Sequence, residues 1–187
     1  MRESKDSRFT KRFVFIVIMG GIGNILGMVS LSLPVPSPMR LELHFSQLTP
    51  LLVGISMEPL DGAIVGMISL IVATVKIGNP MIPLGNAILA YVAGLMAKRF
   101  RPLIAGMIGE IAETPFIWFS MIIWVHIVCG VSLEVLVPII LMVNIKAFIE
   151  VFISSLLIEV LLKSKEIRRL LNSIKRGSDN ADFCENH

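Results

Sequence analysis

Charge is what this sequence has least of. Asp, Glu, Lys and Arg make up 17% of its 187 residues, against 55% hydrophobic side chains, and mean hydropathy is +0.80. A water-soluble domain of this length cannot enclose so much apolar surface, and long apolar runs of this kind indicate membrane spans. Cysteine is almost missing too. Cys129 and Cys184 form no CxxC, which argues against a disulfide framework and a cysteine-based metal site. Histidine occurs three times, as His44, His126 and His187, and the sequence contains no HExxH, GxSxG or P-loop motif. The expectation is therefore a non-enzyme without metal or organic cofactor, in which any ATP-driven step belongs to another subunit. The halves show no internal repeat of the kind that marks many secondary transporters.

What is present is a series of apolar runs separated by proline, glycine and charge. A helix crossing a roughly 30 Å hydrocarbon core needs about 20 residues. Runs near 13–33, 46–57, 60–77, 83–98, 102–126 and 133–162 predict six spans, the second short and the sixth long. "LPVPSP" (33–38) ends the first, and "EPLDG" (58–62), "GNPMIP" (78–83) and "KRFRP" (98–102) separate the others. The first run is too long for a signal-peptide core and reads as a retained helix. Fourteen of the seventeen Lys and Arg fall within residues 1–12, 98–101 and 163–176. With six spans all three clusters share one side, which the positive-inside rule makes cytoplasmic.

The fold class predicted is thus an all-α integral membrane protein with both termini cytoplasmic. Residues 1–12 form a basic N-terminus, 13–162 the membrane domain and 163–187 a polar tail, loose from Asn172 onward. The net charge of +3 and pI near 9.1 match a membrane surface with anionic lipid and imply no nucleic acid.

Ionisable residues inside spans mark interior seams or wet cavities. "GEIAETPFIWF" (109–119) places Glu110 and Glu113 on the fifth span. At helical spacing Glu110, Glu113, Thr114, Ile117, Met121 and Trp124 share a face, with Trp118 beside it. Pro115 is expected to break the backbone ladder next to Glu113. On the sixth span Lys146 and Glu150 are an i,i+4 pair, while Asn144 points nearly opposite. Asn144, a neutral amide, is a candidate ligand contact, and Lys146 serves either an ion pair or an anionic ligand group. Asn79 and Asn86 flank "NPMIPLGN" at a pocket mouth. In the first loop Leu41, Leu43 and Phe45 alternate with Glu42, His44 and Ser46, a segment able to fold back as a lid. Gly20, Gly23 and Gly27 form a small-residue strip on the first span, suited to close packing within the chain or against a partner.

The run "QLTPLLVGISMEPLDGAIVGMISLIVATVKIGNPMIPLGNAILAYVAGLMAKR" resembles the substrate-binding (S) components of energy-coupling factor (ECF) vitamin transporters. The likeness rests on the turn Glu58-Pro59-Leu60-Asp61-Gly62-Ala63-Ile64-Val65-Gly66, with glutamate where the family pattern has glycine. It rests further on Pro83-Leu84-Gly85-Asn86-Ala87 and the late Asn144/Lys146 pair, and covers roughly 45–160. The resemblance implies six spans and a pocket toward the extracellular side, in the plasma membrane. It implies a small vitamin-like substrate, a T subunit docked on Gly20, Gly23 and Gly27, and two ATPase subunits. It places Asn79, Asn86, Asn144 and Trp118 or Trp124 near the ligand, with Glu113 reaching the pocket floor, and gives Glu110 to helix packing; His44 and Lys146 join the candidate substrate contacts from their own sequence positions. Two other readings stay open: a stand-alone transporter or channel with Glu113, Lys146 and Glu150 as an ion relay, and an assembly protein without a ligand.

Overall fold

Residues 5–33 and 41–182 are described by a computed structural model of the protein. Positions 34–38 of the proline-rich stretch, Cys184 and His187 lie outside this range. Helix α1 covers Lys5–Met28, and strands β1 (Ser30–Leu33) and β2 (Leu41–His44) follow as an antiparallel hairpin. Then come α2 (Leu48–Ser56), α3 (Pro59–Ser69), α4 (Ile71–Ile77), α5 (Ile82–Met96) and α6 (Pro102–Met121). Helix α6 continues as π-helical turns over Ile122–Val128, followed by α7 (Leu133–Leu161) and α8 (Lys165–Asp182).

Two expectations are corrected at the ends of these elements. The first helix stops at Met28 rather than near Leu33, because Ser30-Leu31-Ser32-Leu33 alternates with the two-residue period of a strand and pairs with Leu41-Glu42-Leu43-His44. Leu43, on that hairpin, is buried against the helices. Beyond Asn172 the tail is helical, since α8 runs on to Asp182. Its apolar residues hold it: Leu171 is buried, and Ile174 packs on a cluster of Ile16, Val53, Met57 and Val65.

Among the described residues four segments are long and apolar enough to cross a membrane: Thr10–Met28, Pro59–Lys76, Pro102–Val128 and Leu133–Leu161. Helix α5 is apolar but shorter, at 15 residues. Helix α2 has nine residues and is about 14 Å long, less than half a bilayer core. Outward positions on the long helices are large and greasy. Ile25, Val75, Ile127 and Ile145 are each more than 60% exposed, as expected where lipid takes the place of a packed neighbour.

Named contacts set the helix directions. Arg12 near the start of α1 holds Asp61 in the first turn of α3 with a two-pronged ion pair, Nη2 to Oδ1 at 2.8 Å and Nε to Oδ2 at 3.0 Å. Further along, Gly20 lies against Ile68. Helices α1 and α3 therefore run parallel, and α2 returns the chain between them: Ser46 and Thr49 at its start meet Gly27 and Gly23, and Met57 at its end joins the cluster near Ile16. Helix α2 is the centre of the bundle. Its Leu51 packs with Leu89, Ala93, Val151 and Ile158, while Val53 faces the α1–α3 cluster. Backbones come into direct contact here. A Cβ on Gly54 would lie 2.5 Å from the Ala90 carbonyl, one on Gly94 2.5 Å from the Gly54 carbonyl, and one on Gly62 would overlap the Gly54 backbone.

The third span is bent. At Leu70 (φ −111°, ψ 13°) the backbone leaves helical geometry, so α3 and α4 are separate elements. The other proposed break does not occur, because α6 continues through Pro115. Proline there removes only its own N–H, in the way membrane helices tolerate, and Thr114 Oγ1 donates to the Glu110 carbonyl beside it at 2.9 Å.

Candidate functional site

The ends of these elements enclose a cavity of about 410 Å³. Its wall is built from the C-terminal end of α1 (Gly27), the hairpin (His44) and the approach to α2 (Ser46, Gln47). Leu70 at the bend and Ala73 and Lys76 of α4 follow, and the start of α5 with its loop adds Asn79, Met81, Ile82 and Gly85. Helix α6 contributes Glu113, Phe116, Ile117, Ser120 and Met121, and α7 contributes Val143, Lys146, Ala147 and Glu150. A mostly apolar wall with a few convergent polar groups is the usual make-up of a small-molecule site.

Each polar group has an identifiable anchor. Gly78 closes α4 in the left-handed conformation (φ 74°), which glycine adopts without steric cost, and turns the chain into Asn79. Asn79 is buried; its Oδ1 accepts from the Met81 N–H at 3.0 Å, leaving the Nδ2 donor without a partner. On α7 the Lys146 ammonium lies 3.6 Å from Glu150 Oε1, and the His44 backbone N–H donates to the same oxygen at 2.5 Å. That bond ties the hairpin down onto α7. On α6 Glu113 is buried, and its Oε2 has no hydrogen-bond partner. A Cβ at Gly85 would stand 2.7 Å from Glu113 Oε1 and 3.3 Å from the Phe116 ring, so the bare α5 backbone makes room for both. Gln47 Oε1 is a further buried acceptor without a partner.

Of the candidate ligand residues, His44, Asn79, Glu113 and Lys146 come together on this cavity, and Asn86, Trp118, Trp124 and Asn144 are not on its wall. Asn86 is fully buried between α5 and α3, where its Nδ2 donates to the Gly66 carbonyl at 3.2 Å and to Ser69 Oγ at 3.1 Å. Asn144 Nδ2 turns back to the Ile140 carbonyl of its own helix at 2.7 Å. Trp124 falls off the Glu113–Ile117–Met121 stripe because the π turns begin at Ile122. The Cys129 N–H reaches the Trp124 carbonyl five residues back, which takes the helix off the 3.6-residue period.

The glycine strip faces inward. A Cβ at Gly20 would lie 2.5 Å from Ile68 Cγ2, one at Gly23 would overlap Ser69 and Thr49, and Gly27 lines the cavity beside Ser46. The chain's own α2 and α3 occupy that face. Glu110 is fully buried and off the cavity wall.

Sequence reasoning about the site passed over Lys76, Phe116 and Ser120, while Ile117 and Met121 of the Glu113 face do reach the wall. Lys76 had a signal. Only Arg40, Lys76 and Lys146 lie outside the three basic clusters, and the latter two both line the cavity.

No known family profile matches the chain, and no curated protein matches it. Among solved structures it is similar to the S component of a bacterial ECF transporter, with 24% of residues identical and a TM-score of 0.57. That match covers 89% of this chain and 98% of the other. The likeness is one of fold, and the fold is that of an ECF-transporter S component.

Proposed function

We propose that this chain is the substrate-binding subunit of an ECF-type ABC importer in the plasma membrane. It captures a vitamin-like small molecule or a vitamin precursor from outside the cell, for uptake driven by a T subunit and two ATPase subunits. The observation that carries this reading is the cavity of about 410 Å³ with the partnerless buried groups of Gln47, Asn79 and Glu113 on its wall. A buried polar atom without a partner is costly, and a ligand that supplies the missing bond recovers that cost. The sequence carries no nucleotide-binding motif of its own, which assigns energy coupling to other chains.

Six membrane passages with both termini cytoplasmic complete the reading. The parallel course of α1 and α3, pinned by Arg12 and Asp61, supports it, because the short α2 and its flanking residues then return the chain from the Gly27 end of α1 to its Ile16 end. The three basic clusters fall on one side as a result. Since Gly20 and Gly23 are covered from within, the T subunit meets a different face.

The test is purification from native membranes in mild detergent. The chain should bring with it a membrane partner, ATPase subunits and a stoichiometric small molecule identifiable by mass spectrometry. The competing reading, an ion relay through Glu113, Lys146 and Glu150, draws on the same three residues lining one cavity. A chain that purifies alone, and by itself accumulates solute in liposomes under a proton or sodium gradient, would put that reading first.

A further inference from the structure

The charged groups around the cavity divide unequally. Glu150 is met by the His44 N–H and the Lys146 ammonium. Glu113, on the facing helix, has neither kind of neighbour. Its Oε2 is buried without a hydrogen-bond partner, and the side chain behind it on the same helix is a second buried carboxyl, Glu110. Both oxygens of Glu110 also lack partners. The one other cation on the wall among the described residues, Lys76, sits on the exposed last turn of α4 and so belongs to the open rim. The wall thus carries two buried acceptors without partners, Glu113 Oε2 and Gln47 Oε1, against one such donor, Asn79 Nδ2. A ligand that only accepts would leave both acceptors stranded, whereas one with N–H donors satisfies them, and a cation among such ligands makes the stronger, charge-assisted bond to the Glu113 carboxylate.

We propose, on the reading of this cavity as the substrate site, that the ligand is a nitrogen cation that donates N–H hydrogen bonds to Glu113. An amidinium or a protonated amino-heterocycle has the required chemistry, with its flat apolar part against Phe116. Gly85 leaves room for the acceptor, since a Cβ there would stand 2.7 Å from Glu113 Oε1.

Three probes of nearly one shape separate charge from size: benzamidinium, benzamide and benzoate. Their affinities for the purified full chain in detergent are measured by ligand-observed NMR at millimolar probe. Benzamidinium should bind at least about tenfold tighter than benzamide, the difference between a charge-assisted and a neutral hydrogen bond, and benzoate should bind weakest. Glu113→Gln should bring benzamidinium to within about threefold of benzamide, and Ala73→Trp, which fills the cavity, should abolish all binding. Equal affinities, or preference for benzoate, that Ala73→Trp still abolishes would overturn the cation assignment and leave the site standing. Binding that ignores Ala73→Trp, or no binding of any probe, would overturn the site itself and the assignment with it. Should Glu113→Gln fail to fold, the three probes on the unaltered protein decide alone.

Discussion

The side-chain amide of Asn24 replaces the hydrogen bond that the Val72 N–H does not make to the Ile68 carbonyl. Asn24 Oδ1 accepts from the Val72 N–H at 3.0 Å, and Asn24 Nδ2 donates to the Ile68 carbonyl at 2.6 Å. An amide is inserted into a helical ladder at the point where α3 gives way to α4. The insertion matters for the site, because Leu70, Ala73 and Lys76 beyond the break form one wall of the cavity. A residue of the first helix thus holds in place a wall that the sequence alone would assign to a straight third span.

Asn24→Leu should strand both backbone groups at a cost of roughly 1–3 kcal/mol for each group left buried. We expect a clear fall in melting temperature in detergent. Amide hydrogen exchange should accelerate over 71–77, with α5 protected as before. If melting temperature and exchange both stay at wild-type values, the inserted amide has no structural weight.

The glycines of α1 give a contrast within one turn. A Cβ on Gly23 overlaps Ser69 and Thr49, whereas one on Gly21 meets nothing within 4 Å. Gly23→Leu should therefore destabilise the fold by about 1–3 kcal/mol or more through overpacking. Gly21→Leu should melt within a degree or two of wild type. Equal melting temperatures would mean that the strip is an outer surface, free for a partner helix.

The existence of most helices was legible because apolar runs punctuated by proline and glycine leave few alternatives; Ile82–Met96 and Leu133–Leu161 fall within two residues of the predicted runs. The hairpin was half visible in the alternation of Leu41, Leu43 and Phe45, but a two-residue period does not name its partner strand. The bend at Leu70 was hidden, since Asn24, which compensates it, lies 48 residues from Val72. Glu113, Lys146, Asn79 and His44 could be selected because polar groups in apolar runs are costly. The same reasoning selected Asn86 and Asn144, and it could not distinguish an amide spent on Gly66 and Ser69 from one with a donor to spare. Trp124 was misplaced by π turns that no residue type announces.

Membrane topology can be read from one thiol. Cys129 is exposed, in the turn between the π-helical segment and α7, and on the proposed topology that turn is extracellular. In a Cys184→Ser background, a membrane-impermeant maleimide added to intact cells should label Cys129. Labelling that requires permeabilised cells would place the 98–101 cluster outside and refute the six-passage arrangement.

Asn79 and Asn86 lie seven residues apart and should fail in different ways. Asn79→Ser keeps an oxygen able to accept from the Met81 N–H and removes the partnerless Nδ2 donor on the cavity wall without adding a charge. Folding should be little changed, while affinity for the co-purifying small molecule falls about tenfold, the loss of one donated hydrogen bond with no charge added. Asn86→Leu removes the donor to the Gly66 carbonyl and Ser69 Oγ and places a branched side chain where α5 and α3 are in backbone contact. It should lower the melting temperature markedly, because the buried Gly66 carbonyl loses a side-chain donor. Any protein that still folds should keep its small molecule, since Asn86 does not line the cavity. The measurements are moles of bound molecule per mole of protein after a fixed wash, by mass spectrometry, and the melting temperature of each variant. Full retention in Asn79→Ser together with loss in folded Asn86→Leu would move the ligand out of this cavity and toward the α3–α5 seam.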